Sequence, residues 1–168
     1  AASGLMSMSP DGGEGGEVGF SFIPQESVYA PGATVGEIFA FNLECMGDGP
    51  LIRGTVMEKA AFTTTVNGTA RQVGAALATD RIYSTIHVTA ASGTTPTLDV
   101  TVESDDAMGF LTPTVQMTHP QFTGVGANQQ TLDGAITDDW WRLVMTIGGG
   151  TPSFTVFGIV GIQKILTP

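Results

Sequence analysis

DDWWRLVMTIGGGTPSFTVFGIVGI, Asp138 to Ile162, decides how the chain is read. Two runs of alternating apolar residues flank a Gly-Gly-Gly-Thr-Pro segment, the pattern of two strands meeting at a turn. In the first run Trp141, Leu143, Met145 and Ile147 share one face. In the second, Phe154, Val156, Val160 and Ile162 do the same, while Phe157 and Ile159 make the opposite face apolar as well. A strand that is apolar on both sides is expected to be central in its sheet, or covered on its second side by another subunit.

The rest of the composition agrees with an all-β chain. Glycine is abundant at 23 residues and only 13% of residues are charged, with threonine, glycine and alanine where a helical enzyme carries lysine and glutamate. At 168 residues the chain is long enough to bury a real core in one domain. The formal net charge of −10 argues against nucleic acid and against an anionic membrane surface, both of which demand clustered cations. The single cysteine, Cys45, lies in FAFNLECM and reads as a small buried hydrophobe on one face with Phe39, Phe41 and Leu43. The opening AASGLMSMSPDGG lacks the basic and apolar regions of a signal peptide.

Taken in order, residues 1–17 are Gly- and acid-rich without periodicity and read as a flexible arm, with Leu5, Met6 and Met8 its apolar anchors for a neighbouring subunit. Val18–Ile23 is a short strand ended by Pro24, and residues 24–36 form a loop containing an Ala30-Pro31-Gly32 turn. Residues 37–46 and 51–58 are expected to pair as antiparallel strands. Asn67-Gly68 predicts a type I′ hairpin between 62–66 and 69–73. GAALATD, 74–80, is the one weak helical stretch. Strands are expected at 81–90, 97–103 and 114–118, within an otherwise looped 104–137.

An internal echo links RIYSTIHVTAASGTTPTLDVTV (81–102) to the decisive stretch: each is a strand, a Gly-rich segment ending in Thr-Pro, and a second strand. The echo predicts two matched hairpins, one in each sheet of a sandwich. About nine or ten strands follow, hence an all-β fold: an antiparallel β-sandwich of jelly-roll type spanning 18–168, with a flexible N-terminal arm over 1–17. An immunoglobulin-like sandwich is the runner-up, without its Cys…Trp…Cys spacing.

Catalytic patterns are absent. The two histidines, His87 on an outward strand face and His119 before Pro120, have no metal-ligand spacing, so no metal and no cofactor are expected. Asp105-Asp106 and Asp138-Asp139 read as solvated turn acids, because a calcium loop needs an Asp-x-Asp-x-Asp-Gly pattern. Trp140 and Trp141 point to opposite faces. Trp141 belongs with the core; Trp140, beside Arg142, reads first as partly buried in the core, then as an anchor for a protein interface, and last as a platform for a sugar ring.

GEIFAFNLECMGDGPLIRGTV (36–56), SGTTPTLDVTVES (92–104) and the decisive stretch resemble small virion structural proteins of tailed bacteriophages. The resemblance implies a non-enzymatic head decoration (cement) protein on the capsid surface, made in the host cytoplasm. Its partners would be the major capsid protein and further copies of itself, a trimer being the expected oligomer, with no direct nucleic acid and no membrane. The expected contact residues are Leu5, Met6 and Met8 of the arm, Trp140 and Arg142, and the second apolar face of Phe157 and Ile159. A phage tail tube or tail-associated subunit is the alternative within the same virion. A carbohydrate-binding sandwich using Trp140 or Tyr83 is the alternative in another class.

Overall fold

The computed structural model describes residues 4–32 and 40–164, with side chains described over 4–24 and 47–164. Among the described residues eleven strands occur in the order β1 (Met6–Met8), β2 (Val18–Phe22), β3 (Pro24–Gly32), β4 (Ala40–Gly47), β5 (Ile52–Phe62), β6 (Val66–Asn67), β7 (Arg71–Gln72), β8 (Arg81–Asp105), β9 (Thr114–Thr118), β10 (Gly126–Asp133) and β11 (Trp140–Gln163). Every pairing is antiparallel. The β3–β4 pair stands apart as a two-stranded sheet, and the remaining nine strands form one continuous sheet.

The echo has a different meaning from the one expected. Neither Thr-Pro segment is a hairpin turn. Each lies inside one long strand, β8 or β11, and the two strands pair with each other from Arg81↔Gln163 to Asp105↔Trp140. At the midpoint both bend in the same way. Gly93 and Gly149 take φ of 122° and 105°, and two residues later Thr95 and Thr151 take φ of 46° and 47°, each followed by proline. The two glycines are required twice over. A Cβ on Gly93 would come within 2.9 Å of Thr151 O, and one on Gly149 within 2.6 Å of Thr95 O. The bends interlock reciprocally, which is what the sequence echo encodes.

The bend makes the sandwich. The first half of β8 and the second half of β11 sit in a layer ordered β1-β2-β5-β11-β8-β10. The other two halves join β6, β7 and β9 in the second layer. Gly158, late in β11, faces Leu143, early in the same strand, so closely that a Cβ would lie 2.5 Å from Leu143 Cδ1. The strand thus folds back over itself across the core. Ile82, Ile86, Phe154, Val156 and Val160 from one layer meet Leu98, Val100, Val102, Trp141, Leu143 and Met145 from the other, all buried. This is the all-β, antiparallel, jelly-roll-like sandwich that the alternation predicts, and the inward faces of both long strands are as expected.

The outward face of the first layer is also covered, and by this chain itself. Ile159 is 1% exposed, packed so tightly beneath β2 that a Cβ on Gly19 would meet its Cδ1 at 2.7 Å. Ser21 Oγ lies 2.9 Å from Thr85 Oγ1, and Gln129 Nε2 donates to the same Thr85 oxygen at 3.1 Å. β1 and β2 therefore curl back over β8 and β10. The segment expected as a flexible arm is described from residue 4 and lies against its own sheet: β1 pairs with β2, and Lys59 Nζ donates to Gly12 O at 2.7 Å.

Several local expectations are corrected. Residues 24–32 are strand rather than loop, and β4 pairs with β3, not with β5, which joins β2 and β11. Asn67-Gly68 forms no type I′ turn: neither residue takes a positive φ, and β6 and β7 each pair with β11 instead of with each other. Gly68 is there because a Cβ would meet Leu143 O at 2.7 Å. Residues 74–80 hold no helix, only a bridge from Ala76 to Ile136. β10 was not expected, since GANQQTLD is too polar to alternate. The face expected for Phe39, Phe41, Leu43 and Cys45 lies outside the described side chains.

Candidate functional site

Beyond the end of β8 the chain turns through Asp106–Pro113 before β9, and this loop is held at Ala107, Phe110 and Thr112. Asp105 is buried, and its two carboxylate oxygens accept the N–H groups of Ala107 at 3.0 Å and Thr112 at 2.9 Å. Phe110 N donates to Ala107 O at 3.1 Å. Phe110 itself takes φ of 47°, a strained conformation for an aromatic residue that persists where its surroundings over-determine it. The restraint is Arg142, whose guanidinium carbon lies 4.3 Å from the Phe110 ring centroid. Arg142 is held in turn by Glu103 Oε2, at 2.9 Å from Nε and 2.7 Å from Nη2, with both side chains largely buried.

The neighbouring polar groups close the brace. Ser104 Oγ donates to Asp138 Oδ2 at 2.6 Å, and Gln116 Nε2 donates to Ser104 Oγ at 2.8 Å. The backbone amides of Ala107 and Thr112 hold the Asp105 carboxyl below the usual carboxylate range. The Asp106 carboxyl is pushed up, first by its hydrogen bond and charge interaction with Asp105 and more weakly by Asp138. These acids form no metal cluster: among the described residues no group of three or more ligating side chains converges.

What this rigid loop presents is apolar. Leu111 is 88% exposed and Met108 64%, and Val115 on the adjoining edge strand β9 is 54% exposed. Exposed large apolar side chains on a braced backbone are suited to docking, because little conformational freedom remains to be lost on binding.

The expected contact residues are dispersed. Leu5 lines a hollow with Ile23 and Gln129, while Met6 and Met8 are part-exposed on edge strand β1. Met8 and Phe157 line a separate hollow of about 420 Å³ on the outer face of the first layer, with Lys59 and His87. Ile159 is buried under β2 and has no surface to offer, a correction that follows from the chain covering its own second face. Trp140 is half-buried between its ladder partners Gln72 and Asp105. Arg142 acts inside the molecule as the brace of Phe110. Tyr83 is buried, which removes it as a sugar platform. Met108 and Leu111 escaped the sequence reading because nothing local marks an apolar loop residue as exposed, and Val115 because its strand is too short to show which face is outward.

One constellation was also invisible in sequence. His119 Nε2 lies 2.9 Å from Ser84 Oγ and its Nδ1 lies 2.8 Å from Asn128 Oδ1, a Ser–His–Asn arrangement. Ser84 is 0% exposed and His119 2%, so no substrate reaches the hydroxyl. The arrangement pins β8, β10 and the segment after β9 together. Asn128 Oδ1 can only accept, so Nδ1 carries the proton and Nε2 accepts from Ser84. Burial lowers the pKa of His119 and also that of His87, whose Nε2 meets Ser7 Oγ at 2.9 Å. In the unfolded chain both imidazoles take up protons as pH falls below about 6.5, while the folded chain resists. Stability is therefore full above that pH and declines below it. The urea midpoint is expected to drop between pH 7.5 and 5.5, and to drop less in His119→Gln. A midpoint flat across this window would contradict the account.

No protein-family model matches the chain, and no curated protein matches it. Among solved structures, it aligns with a carbohydrate-binding module from Cellvibrio mixtus lichenase 5A, solved in complex with cellotriose. The identity is 9%, the alignment covers 96% of this chain and 98% of that one, and the TM-score is 0.22. A likeness so distant carries no functional argument.

Proposed function

We propose that the protein is a virion structural protein, a head decoration subunit that binds the major capsid protein lattice and stabilises it from the outer surface. The observation that supports this reading is the apolar loop at the end of β8, with Leu111 and Met108 exposed on a backbone locked by Asp105 and Arg142. A decoration subunit works by mass action, binding the mature shell better than its alternatives, and a rigid docking knob makes that binding economical in entropy. Many copies on one lattice multiply the effect. The oligomer, expected as a trimer, and the capsid-surface location belong to the same proposal.

The test is co-sedimentation of purified protein with shells assembled from the major capsid protein. Wild type is expected to pellet with the shells. Leu111→Asp removes an apolar contact worth about 1.5–3 kcal/mol when buried and is expected to weaken binding at least about tenfold, with unchanged thermal stability. Retention of full binding by Leu111→Asp would remove the loop from the interface. Failure of the wild type to bind shells, combined with ring or tube formation by the protein alone, would favour a tail subunit instead.

A further inference from the structure

A second surface, distinct from the Asp106–Pro113 loop, has its own chemistry. A cleft of about 360 Å³ lies where β2, β5, the Val73–Ala75 segment and the end of β11 converge. Arg53 and Lys164 both line it, and both side chains are exposed. Among the described residues that line the cleft there is no carboxylate. In a chain of net charge −10 with only six lysines and arginines, two cations in one acid-free cleft is a marked concentration.

The other four cations are committed within the fold. Lys59 holds Gly12 O and Glu14, and Arg71 holds Met57 O. Arg81 pairs with Asp133, and Arg142 with Glu103.

The walls of the cleft are fixed. Gly54 and Gly161 bring β5 and β11 so close that a Cβ on Gly161 would sit 2.6 Å from Arg53 O. Gly74 is tied down through its N–H to Asp139 O at 3.1 Å and through its carbonyl, which accepts from Trp141 Nε1 at 2.9 Å. Thr55 adds a hydroxyl to the lining.

We infer that this cleft recognises carboxylate side chains on a short acidic segment of a partner protein. Charge complementarity selects carboxylates, and at Gly74, where nothing lies within 4 Å of the position a Cβ would take, a peptide can approach the backbone. A nucleic acid backbone is disfavoured, because it requires a long track of cations and the cleft offers two.

The experiment titrates the whole protein calorimetrically with three probes: a capped Gly-Glu-Gly-Glu-Gly peptide, its Gly-Gln-Gly-Gln-Gly counterpart, and inorganic phosphate. The glutamate peptide is expected to bind, to weaken as NaCl is raised, and to lose about tenfold in affinity in the double variant Arg53→Gln, Lys164→Gln. Both substitutions are at exposed positions, and an unchanged melting temperature would show that the fold survives them. The inference is overturned by equal binding of the glutamine peptide, by phosphate binding as tightly as the glutamate peptide, by an undiminished double variant, or by no binding at all. Leu111→Asp is expected to leave peptide binding intact, so failure here and failure of the capsid proposal are read separately.

Discussion

Replacing Gly149 with alanine is expected to destabilise the protein by about 3 kcal/mol or more, and Gly93→Ala by a similar amount. Two costs add at each position. The left-handed backbone, φ 105° and 122°, is one that residues with a Cβ avoid, at about 1–2 kcal/mol. The new methyl also strikes backbone atoms, 2.6 Å from Thr95 O in one case and 2.9 Å from Thr151 O in the other, and overpacking of this kind costs about 1–3 kcal/mol. Backbone cannot rotate aside as a side-chain terminus can. For a chain of this size the sum lowers the melting temperature by roughly 6–12 °C. Because the two bends interlock, the double variant is not expected to be additive, and a double-mutant cycle on thermal or urea unfolding measures the coupling. If either single variant melted with wild type, the reading of the echo as a paired bend would be wrong.

Trp141→Ala is the second large effect, expected at about 3–5 kcal/mol. The indole is 0% exposed, touches the core between both layers, and donates Nε1–H to Gly74 O at 2.9 Å. Truncation leaves a cavity and removes the partner of a part-buried carbonyl, on a segment that also forms the wall of the cationic cleft. Trp141→Phe keeps most of the packing and loses the hydrogen bond, so it is expected to cost nearer 1–2 kcal/mol. Trp140→Ala, at a half-buried outward position, is expected to cost less than Trp141→Ala by a clear margin. Urea unfolding followed by circular dichroism ranks the three, and equal losses at the two tryptophans would contradict the assigned facing.

The inward faces of β8 and β11 were legible because burial on one side imposes a period of two that Leu98, Val100 and Val102 or Trp141, Leu143 and Met145 display directly. The connection between them was not. Gly-x-Thr-Pro is ordinary turn chemistry, and whether a positive-φ glycine reverses a strand or only bends it depends on what lies opposite, here another copy of the same motif. Asn67-Gly68 misled for a related reason. Its local preference for a tight turn is overridden by pairing with β11, and its glycine is needed for space rather than for φ. The second apolar face of β11 was read as the mark of a central strand or of cover by another subunit; β11 is central, between β5 and β8, but the cover comes from the same chain. The cover is β1–β2, so Ile159 became structure rather than interface. The braced loop was the least legible part, since Arg142 is far in sequence from Glu103 and Phe110 and meets them only in the folded chain.

The sharing of β8 and β11 between the layers has a kinetic consequence. In a sandwich whose layers are joined by loops, one sheet can loosen while the other persists. Here every residue pair that holds β8 to β11 is distant in sequence, from Asp105↔Trp140 out to Arg81↔Gln163, and that ribbon runs through both layers. A topology dominated by non-local pairing folds slowly, in the range of milliseconds to seconds for small two-state domains. Loosening either layer therefore strains the ribbon that it shares with the other.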